Sequence, residues 1–196
     1  MTPIRQGPWL IHGETIPVDN AWMAVHAYQV TRPDGNSGRY EVVRFKNRAI
    51  GVLPLDAEGH TWIVGQHRFP FNAYSWELPE GGGPKDEEPL EAAKRELAEE
   101  TGLTAQTWTA NGHWHLSNSI TDEAAWGFIA TGLAHGAADP DPTEVLETRR
   151  IPFSGLMDMI ISGEITDSFT VLMAQHAYIR AQRGQLPEEI GRLILG

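Results

Sequence analysis

One stretch constrains this chain more than any other: Gly81 to Leu103, GGGPKDEEPLEAAKRELAEETGL. Pro89 suits a first helical turn and Gly102 a C-terminal stop, so a helix over about 88–101 is expected. Leu90, Ala93, Leu97 and Ala98 are available for its apolar side. Glu96, Glu99 and Glu100 then fall at i, i+3 and i+4 and share one face. Like charges at that spacing repel, so the arrangement costs stability unless a cation sits among them. A glutamate-rich helix read alone also suits a solvated face. A cluster of oxygen ligands this tight suits a hard divalent cation, Mg²⁺ or Mn²⁺.

The surrounding residues decide between these readings. Gly81, Glu87, Arg95, Glu96, Leu97, Glu99, Glu100, Gly102 and Leu103 fit the pattern G-x5-E-x7-R-E-U-x-E-E-x-G-U, with U aliphatic. The stretch resembles the Nudix box, and the chain is identified as similar to Nudix hydrolases, which cleave a nucleoside diphosphate linked to a further group. The resemblance implies that Glu96 and Glu100 hold Mg²⁺ or Mn²⁺, with Glu99 bridging or replacing. It also implies that a backbone carbonyl at the start of the glycine loop, at Glu80 or Gly81, completes the shell. Glu87 and Arg95 are expected to be structural, Arg95 pairing with a box carboxylate and so holding the ligands in place.

The net charge of −11 opposes nucleic-acid binding. It opposes a polyphosphate substrate as well, unless metal ions and a few Arg or Lys residues reverse the field at the site. A metal requirement is therefore expected on electrostatic grounds too. With no cysteine, disulfides, thiol catalysis and zinc–thiolate sites are excluded. MTPIRQGPWL carries no apolar run of signal-peptide length, and no segment approaches the roughly 18 apolar residues of a membrane span. A cytoplasmic protein with neither nucleic-acid nor membrane partners is expected.

Two regions are expected, an N-terminal β meander over 1–46 and a main domain over 47–196. The meander's strands begin at Trp9 and run over Met23–Val30 and Tyr40–Phe45, with a turn at Arg32–Asn36. In the main domain, strands are expected at 50–55, 61–66, 76–80, 105–115, 124–131 and 145–151. Helices are expected at 154–162 and 167–182, before a tail containing Pro187. This mixed order indicates α/β or α+β. The resemblance narrows it to a Nudix fold, a mixed β-sheet between helices.

Further site residues follow from the resemblance. Glu144 matches the acidic residue that the ADP-sugar branch carries in a late loop, where it binds metal or activates water; Glu147 and Asp141 are its alternatives. Ile63–Pro70 resembles the family's V-x-Q-x-R-x-P strand, which makes Arg68 a phosphate ligand. A guanidinium can pair two phosphate oxygens. Glu77 matches a position near the ribose or base, with a strand-end salt bridge as its close alternative. Ser117, Ser119 and Glu123 match a substrate loop, and Glu123 is taken as a substrate contact. Asn118 and Ile120 stand where that loop usually has Pro and Gly. Trp9 and Trp22 are candidates for stacking on the base, against ordinary packing. His113 and His115 alternate on a strand and read as structural. No G-x-S-x-G, P-loop or G-x-G-x-x-G is present.

The expected activity is hydrolysis of the pyrophosphate bond of a nucleoside diphosphate sugar, ADP-ribose first, with Glu144 or Glu99 taking the proton. GDP-mannose is the rival substrate. A non-catalytic nucleotide-sugar sensor is the alternative of a different class. A homodimer is expected from the resemblance and from the unpaired meander.

Overall fold

A computed structural model of the chain describes residues 2–136 and 145–196. They form two compact units, one of residues up to Arg48 with His115–Ala124, the other of Ala49–Trp114 with Ala125–Gly196.

The first unit is an antiparallel meander of β1 (Ile4–Gln6), β2 (Trp9–Asp19), β3 (Met23–Thr31) and β4 (Ser37–Phe45), ordered as in sequence. The strand beginning at Trp9 runs to Asp19, with register shifts between Ile11 and Gly13 and between Thr15 and Val18. The turn between β3 and β4 closes where Arg32 N–H donates to Asn36 O at 2.8 Å, and Gly35 supplies a φ of 85°. Residues 115–124 belong to this unit because they are stitched onto β4. Val43 N–H donates to Ile120 O (2.9 Å) and Asp122 N–H to Val43 O (3.2 Å). The Tyr40 hydroxyl donates to Ser119 O at 2.7 Å, and Asp122 Oδ1 accepts from Phe45 N–H at 2.8 Å.

The second unit contains β5 (Asn47–Pro54), β6 (His60–Arg68), β7 (Ala73–Glu77), β8 (Glu80–Pro84), α1 (Pro89–Thr101), β9 (Leu103–His115), β10 (Ala124–His135), β11 (Glu147–Pro152), α2 (Phe153–Ser162), α3 (Ser168–Gln182) and α4 (Glu188–Leu195). One sheet has the order β8-β5-β10-β9, with β5 and β10 parallel; the other has the order β11-β6-β7 and is antiparallel. Alternation along β5 divides its residues between two faces. Ile50 and Val52 pack with Ala92, Ala93 and Leu97 of α1. Gly51 faces the other way, where an added Cβ would strike Met173 and Phe169 of α3. Asn111 Nδ2 donates to Met173 O (2.8 Å), and Arg180 Nη1 donates to Ala110 O (2.6 Å), tying α3 to β9. The sheet thus lies between helices. Ile50, Leu97 and Leu103 are fully buried, each contributing about 1.5–3 kcal/mol by leaving water.

Two local expectations need correcting. The single strand expected at 76–80 is two strands, β7 and β8, and the glycine run lies inside β8 rather than in a loop. Close packing requires a glycine in that strand: a Cβ on Gly83 would meet Ile50 and Ala92. The expected tail is α4. Pro187 stands at its N-cap, Glu188 and Glu189 lie in its first turn, and Ile190 and Ile194 are buried. Proline at a helix start is compatible with the fixed φ it imposes.

Candidate active site

α1 presents the box residues. It begins at Pro89 and ends where Gly102 adopts a φ of 69° and donates its N–H to Ala98 O. Leu97 and Ala93 anchor its inner face, which turns Glu96 and Glu100 toward β8. Both are nearly buried, at 8 % and 6 % exposure, whereas the Glu99 side chain is 41 % exposed.

Arg95 clips the box together. Its Nη1 donates to Glu96 Oε1 at 2.7 Å and to Glu99 Oε2 at 2.9 Å. Its Nη2 donates to the Gly82 carbonyl at 3.0 Å and to Glu87 Oε2 at 3.3 Å. One guanidinium therefore ties helix, glycine strand and connecting turn. Burial works against its charge, but Glu96, Glu87 and Glu99 more than offset this and hold its pKa above the usual arginine value.

β7 and β8 meet at Leu78-Pro79, and four contacts fix this joint. Val52 N–H donates to Pro79 O at 2.9 Å. Glu80 N–H donates to Glu100 Oε2 at 2.9 Å. Leu78 N–H donates to Thr170 Oγ1 at 2.9 Å. Glu77, on the other side, grips Arg68, whose Nε donates to Glu77 Oε1 at 2.9 Å and whose Nη2 donates to Glu77 Oε2. Glu77 raises the Arg68 pKa further above its usual range. The structure thus brings together two residues expected separately at the substrate. Glu77 forms a salt bridge with Arg68 and fixes the orientation of its guanidinium.

Glu80 is the unusual group. Its Oε1 lies 3.7 Å from Arg68 Nη2, and its Oε2 is buried with no hydrogen-bond partner. Burial, then the negative charges of Asp167 and Glu77, push its carboxyl well above the ordinary value of 4.5, against the pull of Arg68. Such an oxygen is satisfied either by a proton or by a cation. Gly81 comes next, and a Cβ there would fall on the Glu96 carboxylate. Among the described residues no three Asp, Glu or His side chains converge to enclose an ion in this geometry, with Arg95 holding Glu96 and Glu99. The donor set nonetheless fits a hard divalent ion. It is all oxygen, one buried oxygen is unsatisfied, and the strand beside it is cleared of side chains.

The remaining expected residues fall elsewhere. Glu144 and Asp141 lie outside the described residues. Glu147 accepts from the Tyr74 hydroxyl at 3.2 Å and from Arg149 Nε at 3.0 Å. His113 rests against the Trp126 ring at 4.3 Å, in keeping with a packing role. In the first unit Trp9 lies edge-on to Tyr40 at 5.2 Å and lines a cavity of about 250 Å³ with Tyr28, Tyr40, Arg44 and Asn118. Trp22 does not line it and is 73 % exposed. Glu123 closes the 115–124 segment, its carbonyl accepting from Leu116 N–H at 3.2 Å.

Sequence reasoning missed Asp167 and Thr170. Asp167 caps α3, its Oδ2 accepting from Thr170 N–H at 2.6 Å. An Asp before a helical run is a readable cap. Nothing local shows that the residue it orients reaches Leu78.

Residues 45–169 match the NUDIX domain family. The chain is 29 % identical over 158 residues to an ADP-ribose pyrophosphatase of Bacillus subtilis, covering 80 % of this chain and 85 % of the relative. It is 31 % identical over 172 residues to an ADP-ribose pyrophosphatase of Mycobacterium tuberculosis, covering 85 % and 82 %. A crystal structure of an ADP compounds hydrolase superposes with a TM-score of 0.79 at 20 % identity, covering 94 % of this chain and 96 % of that one, which shows a shared fold. The chain belongs to the Nudix family and is a pyrophosphohydrolase resembling its ADP-ribose pyrophosphatases.

Proposed function

We propose that this protein hydrolyses the pyrophosphate bond of a nucleoside diphosphate sugar, with ADP-ribose as the first substrate, in a reaction dependent on Mg²⁺ or Mn²⁺. The products are a nucleoside monophosphate and a sugar phosphate. The observation that carries this reading is the buried joint at Glu80, where an unsatisfied carboxylate oxygen adjoins Glu100 and the Arg95-clipped box.

Glu96, Glu100 and Glu80 would hold the ion, with Glu99 and Glu144 as further oxygen donors. When bound, the ion supplies a lowered water pKa and neutralises charge on the phosphates. Arg95 keeps Glu96 and Glu99 from splaying under their mutual repulsion. Arg68 offers a phosphate the guanidinium donors that Glu77 does not take, from a geometry Glu77 has already fixed. Glu99, the most exposed of the box carboxylates, or Glu144 accepts the proton of the attacking water. Positioning and charge stabilisation dominate such a reaction.

Trp9 and its cavity support base recognition by stacking, and Tyr28 and Tyr40 extend the aromatic lining. Among the described residues no helix is long and apolar enough to cross a membrane. We place the protein in the cytoplasm, as a homodimer joined through its N-terminal meander. GDP-mannose is the rival substrate, because Asn118 and Ile120 replace the Pro and Gly of the usual substrate loop.

The test is product identification by ³¹P NMR after incubation with ADP-ribose or GDP-mannose and Mg²⁺. The reading requires the matching nucleoside monophosphate and sugar phosphate, and no turnover in EDTA. Cleavage that persists in EDTA would refute the metal role.

A further inference from the structure

We propose that Thr170 is a positioning residue for this reaction, acting through the Leu78 peptide and held in place by Asp167. The inference rests on the metal reading above and adds a device on α3, outside the box.

Thr170 is fully buried, and its hydroxyl oxygen accepts the Leu78 N–H at 2.9 Å across 92 residues of sequence. Leu78 itself is fully buried, so this amide has no solvent to turn to. Asp167 fixes the donor–acceptor line, because its cap on Thr170 N–H sets the first turn of α3. Leu78 lies between the two acids that matter. Glu77 precedes it and aims Arg68; Glu80 follows two residues later and donates its N–H to Glu100. Pro79 has no N–H, so between Glu77 and Glu80 the Leu78 N–H is the backbone donor through which neighbouring structure can grip the segment. Asp167 is close enough to act on the charges of both Arg68 and Glu80. The α3 N-terminus therefore sets the orientation of the strand joint, and with it the spacing between the phosphate-binding arginine and the ion-binding acids.

The test compares Thr170→Val, which keeps shape and loses the acceptor, with Thr170→Ser, which keeps the acceptor. Three readouts are needed. Backbone amide exchange, followed by mass spectrometry without metal, reads the joint. Exchange of peptide 77–81 should accelerate at least about tenfold in T170V and stay near wild type in T170S, with α4 unchanged. Mn²⁺ affinity, read by electron paramagnetic resonance on the metal-free protein, should weaken roughly 10- to 100-fold in T170V and recover in T170S. Turnover should fall in kcat more than KM rises. Should T170V not fold, Thr170→Ala removes the same acceptor and serves in its place. Unchanged exchange at 77–81 in a folded variant lacking the acceptor, or faster exchange with wild-type kcat, would overturn the proposal. Wild-type protein that fails to bind Mn²⁺ would overturn the metal reading instead, while the exchange comparison together with kcat still decides the role of Thr170.

Discussion

Replacing Arg95 by methionine removes the clip while keeping most of the side chain's bulk. The Glu96 side chain is 11 % exposed, and losing its charge-assisted bond costs about 1.5–3 kcal/mol. Glu99 and Glu87 are 41 % and 28 % exposed, so solvent screens those pairs to about 0–1 kcal/mol each. The expected loss for the metal-free protein is roughly 1.5–5 kcal/mol. For a chain of this size that lowers the melting temperature by roughly 3–20 °C. Arg95→Lys should fall between, since it keeps the charge but cannot fork to Glu96 and Gly82 together. The assay is urea unfolding in EDTA at low salt, followed by circular dichroism. R95M within about 0.5 kcal/mol of wild type would refute the claim that Arg95 holds the carboxylates against their own repulsion.

Glu100→Gln should lower turnover by roughly 100-fold or more while leaving the circular dichroism spectrum unchanged, because an amide oxygen can still accept from Glu80 N–H; normal Mg²⁺-dependent turnover would remove Glu100 from the ligand set. A raised folded pKa stabilises the fold where the carboxyl is protonated and loses that contribution as pH rises through the folded value. Glu80→Gln should therefore gain stability on wild type in EDTA as pH climbs above 4.5, with no change in the difference below it; a pH-independent difference in urea midpoints would contradict the burial argument. Trp9→Ala should raise KM by roughly 5- to 100-fold if the ring stacks on the base, and steady-state kinetics with unchanged KM would return Trp9 to packing alone.

α1 was readable because every signal was local: Pro89 at its start, Gly102 in the left-handed region at its end, and Ala93 and Leu97 inward. The ordering of Glu96, Glu99 and Glu100 on one face followed from helical spacing alone. The strand at β8 was hidden because a glycine triplet reads as a turn, and only the approach of Glu96, Ile50 and Ala92 shows why glycines stand in a strand. The placement of residues 115–124 with the N-terminal sheet was also hidden. It depends on hydrogen bonds from β4 to Ser119, Ile120 and Asp122, which no periodicity encodes. Thr170 shows the same limit most clearly. Its cap by Asp167 is three residues away and legible, whereas its bond to Leu78 is made only by the fold.

The most direct test of the central claim is a phosphate-release panel with Mg²⁺ and with EDTA. It would use ADP-ribose, GDP-mannose, UDP-glucose, diadenosine polyphosphates and dNTPs, with added phosphatase to free phosphate from any monoester formed. The expected result is Mg²⁺-dependent release from a nucleotide sugar, ADP-ribose foremost, abolished by EDTA. Tight binding of a nucleotide sugar with no release from any compound would contradict it and favour a sensor.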